Sequence, residues 1–309
     1  MRAVAFGGGH GLKASLNALL LTDAQVSAVV VVSDDGGSSG RIRQSYPVLP
    51  PGDLRMAFET LSADENWSRL LGHRFGGVSE LTNHAIGNLI LLALFERYEN
   101  PQQALNEFAQ LVSARGHVFA MSLEPLEIVA SVNFSGEIRE IIGQQAVAST
   151  NGEIISVKLV PDKPKISSEM LTEISEADLL VFGPGSWWTS VIPHFLIKQI
   201  KQAISESQAK KIVVNNLIPE KGETENYRSD TFLRVLKTVS EDIRFDFVIN
   251  EKRFADDNQQ LASAVSQLGA KNLLEDVTLL TSEGNARGLI HDPKKLALVF
   301  NDLKIGGYI

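Results

Sequence analysis

Hydrophobic residues of this chain occur in two patterns, continuous short runs and helical spacing, and segments of the two kinds alternate along the sequence. Short apolar runs without a polar alternate face predict buried parallel strands, and these runs are Arg2–Phe6, Val26–Val32, Asp178–Phe182, Lys211–Leu217, Phe245–Asn250 and Val277–Thr281. Apolar residues at helical spacing predict the helices Leu12–Leu21, Ile86–Tyr98, Gln102–Val112, Ile192–Ser205, Asp230–Ser240, Asn258–Leu268 and Pro293–Leu303. This alternation predicts an α/β fold of the Rossmann-like, doubly wound kind, with a mainly parallel sheet.

One segment breaks the alternation. From His117 to Val160, strand-like runs are joined by turn signals such as Ser135-Gly136 and Asn151-Gly152. We therefore expect an inserted antiparallel β element at about residues 117–160, added to the main sheet. Because no linker or repeat interrupts the chain, we expect one domain over residues 1–309.

Composition and charge argue against several functional classes of protein. The net charge of −8 argues against a general nucleic-acid binder, although a small phosphorylated ligand needs only a local basic spot. The longest apolar runs, about eight residues, are far below the roughly 20 that a membrane span requires, so we expect no membrane insertion. The absence of cysteine excludes disulfides and a cysteine nucleophile, and it is typical of a cytoplasmic protein.

Two glycine-rich stretches stand where predicted strands lead into helices. Gly7-Gly8-Gly9-His10-Gly11 follows the first strand, and Gly183-Pro184-Gly185-Ser186 follows the strand that ends at Phe182. Glycines let the backbone approach a phosphate closely, and the amides of a helix N-terminus attract the anion. A simple strand-to-helix turn is the alternative for each stretch. Because Leu12 takes the third glycine position of the dinucleotide fingerprint, an NAD-dependent dehydrogenase is disfavoured.

The stretch Ser33–Arg43 puts acids, glycines, serines and arginines side by side. Asp34 and Asp35 follow the second strand, where a carboxylate can bind ribose hydroxyls, hold Mg²⁺ or cap a turn. The glycine–serine turn after them can direct amides at an anion, and Arg41 and Arg43 can add bidentate phosphate contacts. A surface hairpin is the alternative interpretation.

Three further loops place polar residues at predicted helix starts. Asp53 is either a helix N-cap or a ligand contact. Arg55 lies where a cation opposes the helix dipole, which suggests a nearby anion. At the start of the next apolar helix, the amides need Asn83 or Asn88, or a bound phosphate, as partners. His84 beside them is either a hydrogen-bonded structural histidine or a general acid. The polar stretch Gly222–Asp230 either contacts a sugar or caps the next helix.

These loops make a geometric prediction. The carboxyl ends of parallel strands meet at one edge of a sheet, and ligands of open α/β sheets bind there. We therefore expect Gly7–Gly11 and Gly183–Ser186 to lie on adjacent parallel strands and to face one cleft, with Ser33–Arg43 as its third wall.

Seven stretches, in this order, resemble the gluconeogenesis-factor (YvcK-like) family: "GGGHGL", "SDDGGSSGRIR", "PPGDLR", "HAIGNLILLAL", "GPGS", "GETENYRSD" and "HDPKKLA". Its wider relative is the CofD-like fold, which includes 2-phospho-L-lactate transferase. The resemblance spans Ala3 to about Leu296. It implies a Rossmann-like protein that binds a UDP-sugar, typically UDP-N-acetylglucosamine, and that serves cell-envelope synthesis and cell shape when carbon arrives through gluconeogenesis.

The resemblance implies these nucleotide-sugar contacts: Gly8, Gly9, Gly11, Asp34, Asp35, Ser38, Ser39, Arg41, Asn88, Gly183, Gly185 and Ser186. To the expected ligand-binding set we add His10, Gly37, Asp53 and Arg55. Asp34 and Asp35 are also the expected ligands of Mg²⁺, the one candidate cofactor.

The chain departs from the family pattern near its C-terminus. Many members carry Arg immediately before the His-Asp-Pro sequence, whereas Ile290 stands there in this chain, and Arg287 is the nearest substitute. The expected basic contact to the ligand from this segment is therefore in question.

Two functions stay open. One is a UDP-sugar-binding regulator that acts on an envelope-precursor enzyme. The other is a CofD-type transferase that moves a phospholactyl group onto a deazaflavin alcohol with Mg²⁺; its double Asp matches Asp34 and Asp35, but the GGSSGR that follows belongs to the gluconeogenesis branch. Because no nucleophile with a base oriented behind it is evident, binding is better supported than catalysis. We also expect a homodimer.

Overall fold

A computed structural model describes residues 1–219, 224, 227–254, 258–280 and 289–309 of the chain. The strands of its main sheet are β1 (Arg2–Gly7), β2 (Gln25–Val30), β3 (Gly116–Ala120), β7 (Leu179–Phe182), β8 (Lys210–Val214), β9 (Phe247–Glu251) and β10 (Lys271–Glu275). They stand in the order β10-β9-β8-β7-β1-β2-β3, and every pairing is parallel.

Two smaller antiparallel units accompany this sheet. The first has the order β5-β4-β6 and consists of β4 (Glu127–Phe134), β5 (Glu137–Ile142) and β6 (Glu153–Val160). The second pairs β11 (Thr278–Leu280) with β12 (Leu289–His291).

The helices are α1 (Gly9–Leu20), α2 (Gly37–Ser45), α3 (Pro51–Leu61), α4 (Glu65–Gly72), α5 (Ile86–Arg97), α6 (Pro101–Leu111), α7 (Gln144–Ala148), α8 (Ser168–Ser175), α9 (Pro193–Leu196), α10 (Lys198–Glu206), α11 (Ser229–Ser240), α12 (Asn258–Gln267) and α13 (Pro293–Ile305). A π-helical turn at Trp187–Val191 and a short 3₁₀ turn at Lys252–Phe254 complete the described elements. Among the helices of the described residues, none is long and apolar enough to cross a bilayer.

The strand order shows why the sheet is doubly wound. The chain runs outward from β1 through β2 to β3, returns to β7 beside β1, and then runs outward the other way through β8 and β9 to β10. The central strands are buried on both faces, as their unbroken apolar runs predict. Helix α1 packs against α3 and α13, and α8 packs against α10. The predicted α/β, Rossmann-like fold with a small antiparallel β element is therefore confirmed.

Some predicted elements lie elsewhere. Gly116–Ala120, the start of the expected antiparallel element, is instead the edge strand of the parallel sheet, and the antiparallel sheet begins at Glu127. The run Val277–Thr281 contributes β11 to the small antiparallel pair rather than a strand to the main sheet; Thr281 lies outside the described residues. The edge strand of the main sheet is Lys271–Glu275, which is too polar to give a buried-strand pattern.

Candidate functional site

The two glycine loops lie side by side at the point where the strand order reverses. Because β1 pairs in parallel with β7, Gly7–Gly11 and Gly183–Ser186 leave the same edge of the sheet. A Cβ on Gly11 would overlap the carbonyl oxygen of Pro184 and would lie 2.6 Å from the Cα of Gly185. The expected placement of the loops on adjacent strands is confirmed, and open α/β sheets bind ligands at such a reversal.

The second loop is held by Asn216, two residues after the end of β8. Asn216 Oδ1 accepts a hydrogen bond from the N–H of Gly185 at 3.0 Å, and Asn216 Nδ2 donates to the carbonyl of the same glycine at 2.9 Å. The φ angles of Gly183 and Gly185 are +77° and +137°, which glycine adopts without strain. Asn216 was not among the predicted site residues, because the apolar pattern placed it inside the expected strand Lys211–Leu217.

A row of asparagine side chains continues from this loop across the sheet. The N–H of Asn216 donates to Asn215 Oδ1 at 3.0 Å, and Asn215 Nδ2 donates to Asn250 Oδ1 at 2.8 Å. Asn250 Nδ2 in turn donates to Asn272 Oδ1 at 2.8 Å. The row therefore links the end of β8 to β9 and β10 through side-chain amides.

The first glycine loop contacts the carboxylate of Asp53. Gly8 has no room for a side chain, because a Cβ there would overlap Asp53 Oδ2 and would lie 2.6 Å from Val31 Cγ1. The N–H of Gly9 donates to the Asp53 carboxylate. Helix α3 begins at Pro51, so the N-cap alternative for Asp53 is wrong. The side chain instead reaches from the first turn of α3 to the loop after β1.

Asp53 and Asp34 form a pair of neighbouring acids. Burial, and then the negative charge of Asp34, raise the pKa of Asp53 to about 7, against the lowering effects of the Gly9 hydrogen bond and the Arg55 charge. Asp34 Oδ1 accepts from the N–H of Gly36 at 2.9 Å, while a Cβ on Gly52 would lie 2.9 Å from Asp34 Oδ2. Asp53 is therefore close to its protonation midpoint at neutral pH.

The fit of Mg²⁺ depends on this pair. Asp35 Oδ1 accepts from the N–H of Gln145 at 2.8 Å and so faces α7, whereas Asp34 faces α3. Within the described ranges, no group of three or more histidine, aspartate or glutamate side chains is placed to hold a metal. Mg²⁺ is commonly held by one or two carboxylates together with ligand phosphate oxygens. Asp34 and Asp53 suit that arrangement, and Mg²⁺ at Asp34 and Asp35 stays a prediction.

The glycine–serine stretch after β2 is a helix rather than a turn or hairpin. Helix α2 starts at Gly37, and Gly40 packs so closely that a Cβ there would overlap the carbonyl oxygen of Asp35. Arg43 Nη1 donates to the carbonyl of Asp34 at 3.2 Å, and its Nη2 donates to the carbonyl of Leu126 at 3.4 Å. Arg43 therefore braces the loop instead of extending toward a phosphate.

A hydrogen-bonded group of three buried side chains joins α2 to the start of α5. Ser38 Oγ lies 2.9 Å from His84 Nδ1, and Asn88 Nδ2 donates to Ser38 Oγ at 2.9 Å. Ser38 Oγ has one proton and two acceptor lone pairs, so besides accepting from Asn88 it can either donate to His84 Nδ1 or accept from it, according to the ring tautomer. Burial, with the charges of Arg41 and Arg74, lowers the pKa of His84, so the ring is neutral at pH 7.

The remaining predicted residues lie around this group. Ser39 Oγ accepts from the N–H of Gly52 at 3.0 Å, which ties α2 to α3. Arg41 is positioned by α2 and donates Nη2 to the carbonyl of Thr82 at 2.6 Å. Ser186 caps the turn that follows the second glycine loop, accepting from the N–H of Thr189 at 3.2 Å.

A cavity of about 630 Å³ opens beside the glycine loops. It is lined by His10 and Gly11 from the first loop, Gly185 from the second, Asn216, and Ile290 near the C-terminus.

Four residues of the expected third wall, Ser33, Asp35, Gly40 and Arg43, line a cavity of about 340 Å³. That this wall and the two glycine loops face one cleft stays a prediction. Arg287 and most of the stretch from Gly222 to Asn226 lie outside the described residues.

Known proteins match this chain over nearly its whole length. Residues 3–283 match the family model described as "2-phospho-L-lactate transferase CofD". A Mycobacterium tuberculosis protein named "Putative gluconeogenesis factor" is 39% identical, over 96% of this chain and 89% of that protein. A Listeria monocytogenes "Gluconeogenesis factor" is 33% identical, over 96% of this chain and 93% of that protein.

A solved structure shares the fold. The crystal structure of a UPF0052-family protein from Bacillus halodurans aligns with a TM-score of 0.87 at 28% identity, covering 96% of this chain and 98% of that one. The chain therefore belongs to the CofD family of Rossmann-like proteins. Its relatives of similar length carry the name gluconeogenesis factor, which confirms the resemblance drawn from the sequence motifs.

Proposed function

We propose that the protein binds a UDP-sugar, UDP-N-acetylglucosamine, at the crevice between its two glycine loops. The observation that carries the proposal is the close approach of Gly11 to Pro184 and Gly185, which keeps side chains away from the place where two strand ends meet. Bare backbone of this kind admits a diphosphate, whose charge the amides of a helix N-terminus stabilise. The adjacent cavity of about 630 Å³ has the size of a small-molecule site.

Acidic side chains complement the rest of such a ligand. Asp34 follows β2, the strand after which Rossmann-like proteins place a carboxylate on ribose hydroxyls. Asp53 can hydrogen-bond a hydroxyl in either protonation state, because its pKa lies at about 7. Mg²⁺ held by these two acids would neutralise part of the diphosphate charge.

The biological role that we propose is regulatory. A protein that binds UDP-N-acetylglucosamine in the cytoplasm senses a cell-envelope precursor, and we infer that it acts on an enzyme that makes such precursors. The name gluconeogenesis factor, which the relatives carry, supports a role on gluconeogenic carbon. We further propose that this role concerns envelope synthesis and cell shape. Loss of the protein should then deform cells on a gluconeogenic carbon source and leave them normal on glucose.

Isothermal titration calorimetry with UDP-N-acetylglucosamine tests the binding proposal. We expect a saturable heat, and about tenfold weaker binding by Asp34→Asn, because a hydrogen bond to a charged group is lost. The matched control is Asp242→Asn, which makes the same change at an exposed aspartate far along the chain. Absence of any heat up to millimolar ligand, or equal affinities of the two variants, would contradict the proposal.

A CofD-type transferase is the second candidate, because the pKa of Asp53 at about 7 suits a general base at neutral pH. In that reaction the acceptor hydroxyl attacks phosphorus, the acceptor proton passes to the Asp53 carboxylate, and the donor's nucleotide departs. Purified protein given a phospholactyl nucleotide, a deazaflavin alcohol and Mg²⁺ would then form product, and Asp53→Asn would not. Product formation by the wild-type protein would favour this function over the purely regulatory one.

A further inference from the structure

Basic side chains converge where the segment between α4 and α5 meets α2. Arg41 Nη2 donates to the carbonyl of Thr82 at 2.6 Å, and Arg74 Nη1 donates to the carbonyl of Asn83 at 2.8 Å. His84 is the next residue. Two guanidinium groups therefore hold consecutive carbonyls immediately before the buried histidine.

Arg55, on α3, belongs to the same group. The side chain of Arg55 packs against Gly87, which lies three residues after His84. A Cβ on Gly87 would be only 2.7 Å from Arg55 Cγ and 3.1 Å from Arg55 Cδ. Burial and the positive charge of Arg74 act to lower the pKa of Arg55, against the charges of Glu59 and Asp53. We call Arg41, Arg55, Arg74 and His84 the basic cluster.

Three guanidinium groups in this cluster face two carboxylates, those of Glu59 and Asp53, which both act on Arg55. Glu59 pairs with Arg55 at 2.5 Å and also with Lys13 at 3.2 Å, so one carboxylate serves two cations. The hydrogen bonds that Arg41 and Arg74 make to described residues go to neutral carbonyls. A carbonyl partner leaves the charge of a guanidinium uncompensated, and an anion would remove that imbalance.

One member of the cluster is buried and has an N–H without a partner. Arg55 is 5% exposed, and its Nε has no hydrogen-bond partner among the residues that the structure describes. An unpaired buried N–H of a charged group is costly, and such atoms in native structures call for a ligand, ion or water as partner. The neutral ring of His84 adds an uncharged group that can donate or accept a hydrogen bond, according to its tautomer.

We propose that the basic cluster is a second oxyanion site, which binds a phosphate or carboxylate group on the α5 side of Asp53. It is distinct from the diphosphate position between the glycine loops, so it takes the acidic group of another small molecule. Arginine suits this role because its planar fork matches the oxygens of both groups. The proposal adds Arg74 and His84 to the residues expected to contact a ligand.

Calorimetry of the whole chain with inorganic phosphate tests this site, first without and then with saturating UDP. We expect phosphate to bind in both cases, and Arg74→Gln to weaken it about tenfold or more while leaving UDP affinity within about twofold. Arg74 is exposed, so its replacement does not remove a core contact. The matched control is Arg69→Gln, since Arg69 is an exposed arginine on α4 that contacts Glu65 and Asn66.

The outcomes separate this proposal from the proposed function. No phosphate binding, displacement of phosphate by UDP, or equal effects of Arg74→Gln and Arg69→Gln would each overturn the second site. If UDP fails to bind but phosphate binding still depends on Arg74, the UDP-sugar proposal fails and the second site stands. A parallel titration with acetate identifies the natural group: phosphate binding alone assigns a phosphoryl group, and equally strong acetate binding assigns a carboxylate.

Discussion

Replacing Gly11 with alanine tests whether close backbone contact between the two glycine loops shapes the site. The new methyl carbon would lie 2.6 Å from both the Cα of Gly185 and the carbonyl carbon of Pro184. Carbon atoms pack at about 3.5–4.0 Å, so the loops would have to separate by roughly 1 Å. Neither neighbour is a flexible side chain, and the strain must therefore spread into the backbone.

Two opposing effects set the size of the stability change. Forcing an extra methyl group into a packed site typically costs about 1–3 kcal/mol. Alanine in a helix regains up to about 1 kcal/mol relative to glycine, and Gly11 lies in the first turn of α1. We expect the free energy of unfolding to fall by about 1–2 kcal/mol. For a domain somewhat smaller than this chain, such a loss lowers the melting temperature by roughly 2–6 °C.

Thermal melts and calorimetry with UDP-N-acetylglucosamine measure the two consequences for Gly11→Ala. Displaced loops should lose at least one charge-assisted contact to the diphosphate, which weakens binding tenfold or more, by about 1.5–3 kcal/mol. Gly76→Ala is the control, because a Cβ there has no atom of the described residues within 4 Å apart from its own chain neighbours. If both variants melt and bind alike, close packing of the loops does not determine the site.

Three further predictions concern charge. The pKa of Asp53 in the folded protein, about 7, exceeds its ordinary value of 3.8, so the free energy of unfolding falls as pH rises from about 4 to about 7. Urea denaturation should therefore show that Asp53→Asn loses less stability than the wild type between pH 5 and pH 8. Burial lowers the pKa values of His194 and His291 to about 4, so each contributes stability that is lost as pH falls below about 6.5. Two histidines outweigh one aspartate, and the free energy of unfolding should rise by about 1.4 kcal/mol per pH unit between pH 4 and 6.5; a flat or falling profile would contradict these shifts. Arg41→Ala should weaken UDP-sugar binding about tenfold with little change in the ligand-free melt, whereas a large fall in that melt would show that Arg41 serves to hold Thr82.

The central strands could be predicted from sequence because each is an apolar run buried on both faces. The edge strand at Lys271–Glu275 could not, because one side of it is exposed and its sequence is correspondingly polar. Helix α2 was missed for another reason: glycine and serine have low helix propensity, and the packing of Gly40 against Asp35 overrides that preference.

The sequence predicted which loops form the candidate site, but it did not predict which residues of those loops contact one another. Strand order alone brings Gly11 to Gly185, so the pattern of strands and glycines was sufficient. Asp53 contacts Gly9, which lies 44 residues earlier in the chain, and no local sequence pattern specifies that contact. Arg74 and Asn216 stand in no recognised motif, and only the folded chain brings them to the site.

The asparagine row gives one half of the sheet a polarity that a single backbone N–H sets. That N–H, of Asn216, can only donate, so Asn215 presents Oδ1 to it, and the amides of Asn215 and Asn250 then each donate toward the edge strand β10. Turning either amide over would set two donors or two acceptors against each other. The peptide N–H of the residue that holds Gly185 thus determines the orientation of Asn272 on the outermost strand.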